Sequence, residues 1–170
     1  MSGFPSLQPA FTALVEIDAP LGVGSLSKGA PLTVVPMTGG TLKAEPGFTS
    51  PALDAKFIGT GYDYIRHDPS GEHMRLDVRS QLKNKDGALF SLYYTGVIAK
   101  DPALLKVLEG SPDAQTTEFG NAFTHFTFET GSPALKELET SVFVGSGRFR
   151  IEKGKPTVVE YKISKVVYRP

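Results

Sequence analysis

Polar and apolar residues alternate along most of this chain with a period of two, the period of a β-strand with one covered face. Residues 11–17 place Phe11, Ala13, Val15 and Ile17 against Thr12, Glu16 and Asp18, with Leu14 breaking the polar side. Residues 31–37 form an apolar, β-branched run, and 41–44 resume it after Gly39-Gly40, which permits a bend or bulge. A further strand starts at 53–58 and continues over 62–66, with Gly59 and Gly61 allowing sharp curvature. Residues 72–82 alternate Met74, Leu76, Val78 and Leu82 with Arg75, Asp77, Arg79 and Gln81. Residues 88–98 return after Asn84-Lys85-Asp86-Gly87, and strands follow at 122–128, 141–151 and 157–168. Residues 1–9 read as a lead-in.

Two segments change period. Asp101 caps and Pro102 opens a short helix that Gly110 can close, and Ser132-Pro133 opens a second with Ala134, Leu135 and Leu138 to bury. About nine strands, two short helices and frequent glycine bends predict an all-β fold, a small antiparallel β-barrel in one domain spanning 1–170; a sandwich is the alternative. Closure removes the exposed edges that so many strands would otherwise leave.

The hairpin at 72–98 can be put in register. A three-residue loop with Gly87 left-handed pairs Asn84 with Ala88. Leu82 then faces Phe90, Ser80 faces Leu92 and Val78 faces Tyr94, while Gln81 meets Ser91, Arg79 meets Tyr93 and Asp77 meets Thr95. One face is apolar and the other polar. The polar face is either a solvated barrel exterior with ordinary ion pairs or the lining of a ligand-binding lumen. The alternation itself leaves both readings open.

Composition narrows the chemistry. With 170 residues the chain is long enough to bury one sizeable core unaided. Eighteen basic residues balance 18 acidic ones, so a general attraction to nucleic acid phosphates is not expected. No cysteine is present, which removes disulfides, thiolate metal sites and cysteine nucleophiles. The start, Met-Ser-Gly-Phe-Pro, has neither the basic nor the apolar region of a secretory signal, and no apolar run approaches the ~20 residues of a membrane-spanning helix. A cytoplasmic protein with neither membrane nor nucleic acid partner is expected. The long last strand is a candidate homodimer surface.

No hydrolase elbow, zincin motif, calcium loop or dinucleotide fingerprint occurs. The glycine-rich stretch 22–29 lacks the Gly-Lys-Ser/Thr ending of a phosphate loop. His67 and His73 flank a Pro-Ser-Gly turn without a third ligand, so no metal site is expected. His125 lies mid-strand among aromatics, either a half-buried strand residue or a proton donor and acceptor. Any catalysis is expected to be cofactor-free, with a carboxylate, an Arg, a Tyr and a His moving protons and holding phenolate or enolate charge.

Gly39-Gly40-Thr41, Gly59-x-Gly61-x-Asp63, Leu76-Asp77-Val78-Arg79, Asp86-Gly87-Ala88, Tyr94-x-Gly96, Phe128-Glu129-Thr130-Gly131 and Phe143-Val144-Gly145 occur here in this order. They resemble the family called domain of unknown function 3237 (UPF0311), over roughly residues 10–168. The resemblance implies a small β-barrel. Through fungal members found among polyketide pathways, one kind being similar to a phenalenone-pathway hydroalkoxylation cyclase, it also implies a cofactor-independent cyclase or isomerase of a phenolic, polyketide-like ligand. A lipocalin-like small-molecule binding protein without turnover is the alternative. On this reading Asp63, Arg79 and His125 are the catalytic residues, with Arg79 facing the lumen. Tyr62, Tyr93, Tyr94 and Phe126 are the substrate-binding residues, with Tyr93 favoured by the register and Tyr94 by the family motif.

Overall fold

The computed structural model describes residues 3–168. Nine strands run in chain order: β1 (Ser6–Ile17), β2 (Leu21–Gly24), β3 (Leu32–Ala44), β4 (Asp54–His67), β5 (His73–Asn84), β6 (Leu89–Ala99), β7 (Ala122–Thr130), β8 (Phe143–Arg150) and β9 (Thr157–Val167). Helix α1 (Pro102–Leu108) follows β6; a 3-10 turn (Pro133–Leu135) leading into α2 (Lys136–Glu139) follows β7. All pairings are antiparallel, in the order β1-β9-β8-β7-β6-β5-β4-β3, and β1 also pairs with β3. Eight strands therefore close a barrel, and β2 hangs on β3 from outside. Among the described residues no helix is long and apolar enough to cross a membrane.

The β5–β6 hairpin has the register that alternation and Gly87 predict. Asn84 N–H donates to Ala88 O at 2.9 Å, Gly87 has φ +93°, and Val78, Arg79 and Ser80 face Tyr94, Tyr93 and Leu92. Closure depends on β3, which must bend to serve both β1 and β4. It does so at Gly39-Gly40, where the β3–β4 register slips between Met37 and Thr41. Gly40 has φ +125°, and a Cβ there would lie 1.9 Å from Leu14 O. No side chain fits that contact.

Two expectations need revision. The predicted lead-in is shorter, because β1 begins at Ser6; a bulge between Pro9 and Phe11 shifts the alternation out of phase and hides the first residues. The stretch 21–24, overlapping the glycine-rich 22–29 where no strand is expected, is a short strand whose four residues are all exposed. It buries no face, so it leaves no hydrophobic period to read.

The core is the barrel interior. At one end Phe11, Phe48, Phe90, Phe128 and Phe143 pack ring against ring at 5.1–6.4 Å, and Leu135 and Leu138 are buried in the same core. That end is plugged. Further along, Phe126 and Tyr161 project inward, and the facing positions are Gly145 and Gly147. A Cβ at either glycine would meet one of these rings at 2.6 Å. The missing side chains are what let two aromatic rings lie across a narrow lumen.

Candidate functional site

Strand alternation decides which polar groups enter the lumen. Asp63 lies in β4 opposite Val35 of β3 and Val78 of β5, all three pointing inward. Tyr94, opposite Val78 and Phe126, points inward as well, and Tyr161 joins it from β9. The Tyr94 ring lies 4.8 Å from Phe126 and 5.2 Å from Tyr161, centroid to centroid.

Asp63 is 9% exposed. Its Oδ1 accepts a 3.3 Å hydrogen bond from the Asp77 backbone N–H, and among the described residues no cation pairs with it. Burial disfavours the charged carboxylate and pushes its pKa from the ordinary 3.8 up to about 7; the Asp77 N–H opposes the rise and the Asp77 charge adds to it. Tyr94 and Tyr161 both have their pKa raised, first by burial and in part by the field of Asp63. Both phenols therefore stay neutral near pH 7 and act as hydrogen-bond donors. The three groups border a cavity of about 50 Å³ that is otherwise apolar, with Met37, Ile65 and Leu108 among its walls. The two tyrosine hydroxyls are also hydrogen-bonded to each other. The arrangement can hold a proton at Asp63, give it up near neutrality, and offer a hydroxyl of the tyrosine pair to a bound oxygen.

Of the site residues expected from sequence, Asp63, Tyr94 and Phe126 come together in the lumen. Phe126 is fully buried and stacks behind the tyrosines without reaching the cavity. Tyr94, not Tyr93, is the inward tyrosine. Arg79 does not face the lumen: its side chain is 67% exposed, 4.0 Å from Asp77 and with its guanidinium 5.9 Å from the centre of the Tyr93 ring. Leu76, Val78 and Ser80 take the inner positions of β5, and a strand with period two cannot send Arg79 the same way. The polar face is the solvated exterior.

Tyr93 and His125 are outside for the same reason. Tyr93 donates to Glu129 at 2.9 Å, and with Arg79 and His125 it lines an open concavity of about 450 Å³ on β5–β7. Tyr62 also faces out, 39% exposed beside Tyr64. Tyr161 was not anticipated. The signal was its place on the same strand face as Val159 and Ile163, which marks a tyrosine pointing into a core. Among the described residues no three His, Cys, Asp or Glu side chains gather to hold a metal ion.

Fold and site together define a class: a small closed antiparallel barrel, plugged by phenylalanines at one end and holding a buried carboxylic acid beside two phenols toward the other. The chain belongs to the family described as protein of unknown function (DUF3237), whose model matches residues 5–166. Solved structures share the fold. A conserved protein of unknown function from Rhodopseudomonas palustris is 22% identical, with a TM-score of 0.76 over 98% of this chain and 100% of its own. A β-barrel-like protein from Acinetobacter baumannii is 25% identical, with a TM-score of 0.72 over 98% of both chains. An enzyme from Penicillium herquei is 17% identical, with a TM-score of 0.60 over 94% of both. A search of curated proteins finds no match.

Proposed function

We propose that the lumen is an acid–base site in which Asp63 exchanges a proton with a neutral, phenolic ligand, and that the protein is a cofactor-independent cyclase or isomerase of aromatic, polyketide-like compounds. One observation carries this reading: a carboxyl group buried without a cation beside a cavity, with its pKa brought to about 7. Carboxyls arranged this way suit general acid and base work near neutrality. The Penicillium herquei enzyme, which shares the fold, adds support.

The lumen chemistry narrows the ligand. Among the described residues no cation lines the cavity, so a carboxylate ligand would be disfavoured and a neutral phenol, enone or alkene favoured. For an alkenyl phenol the step is an intramolecular hydroalkoxylation. Protonated Asp63 gives its proton to one alkene carbon, the phenol oxygen bonds to the other, and the phenol proton returns to the carboxylate. The product is an isomer of the substrate and nothing else is consumed. The hydrogen-bonded Tyr94–Tyr161 pair would donate one hydroxyl to the phenol oxygen and hold it against the alkene. Arg79 and His125 have no part in this step, because both lie outside the barrel.

The test is incubation with an ortho-prenyl phenol and chiral analysis of the product. Wild type is expected to give one enantiomer of the cyclic ether. Asp63→Asn should slow it by about 10²–10⁴-fold, the usual worth of a general acid. Because the acid form of Asp63 is the active one, the rate should fall as pH rises through about 7. Equal turnover by Asp63→Asn rules the assignment out. The second reading, a binding protein without turnover, draws on the mostly apolar cavity walls; it predicts a phenol that is retained and recovered unchanged.

A further inference from the structure

The cavity of about 50 Å³ is far below the ~300 Å³ at which ligand pockets begin. If the lumen takes a phenol, some wall must give way. The strands are locked to one another around the barrel, and the phenylalanine end is plugged. At the other end, among the described residues, two close the cavity from outside the strands, Pro20 from the β1–β2 corner and Leu108 from α1.

We propose, resting on the lumen reading above, that α1 is a door over the Asp63 cavity and that Leu108 is the residue that sets the size of ligand admitted. Helix α1 has seven residues, too few to be stable alone, so its position depends on what it packs against. Leu104 is its one buried residue and Leu108 is half-buried. Beneath α1 and the segment that follows, a second, very small void is bounded by Leu104, Ile98 and Phe149. Ile98 and Phe149 also wall the Asp63 cavity. Packing under the door is thus interrupted on both sides of the same two side chains, unlike the close packing of a protein interior.

The segment beyond α1 is fixed. Thr117 N–H donates to Phe149 O and Phe149 N–H to Thr117 Oγ1, both at 2.9 Å. Phe119 lies under the Arg148 guanidinium at 4.7 Å, and Arg148 Nε donates to Glu160 at 2.7 Å. At the other side Asp101 caps α1 through the Leu104 N–H at 2.7 Å and accepts a hydrogen bond from Asn121. Between these anchors Gly110, with φ +62°, closes the helix. Motion is therefore confined to residues 102–115: α1 lifts from the barrel while 116–121 stays in place, and Leu108 leaves the cavity as it does so.

The experiment follows the fluorescence of 1-naphthol, and the competition of phenol with it, on wild type, Leu108→Ala, Leu108→Phe and Asp63→Asn. Leu108→Ala should admit 1-naphthol at least roughly tenfold faster and more tightly relative to phenol, the discrimination a few methylene groups give a pocket wall. Leu108→Phe, which empties nothing, should shift the ratio the other way by a similar factor. A naphthol-to-phenol ratio that is the same in wild type and both Leu108 variants overturns the door, and so does failure of both probes to bind any of them. The lumen reading fails separately: binding to Asp63→Asn with the affinity and pH dependence of wild type would show that the probes do not meet Asp63.

Discussion

Asp63 and Arg79 stand in neighbouring strands within one residue of the same level, yet one is in the lumen and the other in solvent. The difference is a matter of odd and even positions in a strand. Arg79 alternates with Val78 and Ser80, and that alternation put it on the polar face; the period left that face open to solvent or lumen, and the family resemblance turned it inward. Asp63 was harder to place from sequence, because the glycines at 59 and 61 let β4 slip register between Ile58 and Tyr62. Two predictions belong here. Folding raises the Asp63 pKa from 3.8 to about 7, so the folded state binds more protons than the unfolded chain between those values. The stability Asp63 contributes is complete below pH ~4 and is lost as pH rises through 7, by up to roughly 4 kcal/mol. Asp63→Asn should remove this dependence and be the more stable form at pH 8, as urea unfolding of both proteins at pH 5 and pH 8 would show. Arg79→Ala, on the exposed face, should change stability by no more than ~0.5 kcal/mol in the same assay.

At the level of elements, legibility followed burial. The β5–β6 hairpin, with one covered face and a glycine turn, could be registered residue by residue. The short α1 announced itself through Asp101 and Pro102. Strand β2, exposed on every residue, left no pattern, and Pro9 hid the start of β1 behind a bulge. That Gly39-Gly40 permits a bend was readable; that Gly40 is the place where β1 comes close enough to close the barrel was not, since closure joins residues far apart in the chain. Gly40→Ala combines a strained φ with a Cβ driven into Leu14 O, and should destabilise by at least ~3 kcal/mol in thermal or urea unfolding. Gly147→Ala would bring its Cβ to 2.6 Å from the Tyr161 ring and 3.3 Å from Ala122 Cβ, with no backbone in the way; a loss of about 1–3 kcal/mol is expected, with the near-ultraviolet tyrosine signal perturbed.

The whole molecule is a barrel with unlike ends. Phenylalanines fill one, and at the other a single carboxyl group is kept from water with two phenols, beside a small cavity that α1 helps to close. Strand count and glycine spacing made the barrel readable before its structure was known. Which groups share the lumen was only partly readable, because Tyr161 and Asp63 meet through the closure of strands nearly a hundred residues apart. The rest follows from the protonation of Asp63, and carboxyl-carbon NMR of aspartate-labelled protein measures it directly. Without ligand, the Asp63 signal should titrate near pH 7, and saturating phenol should move its midpoint. A midpoint near 4, unmoved by phenol, would contradict an acid–base site in the lumen.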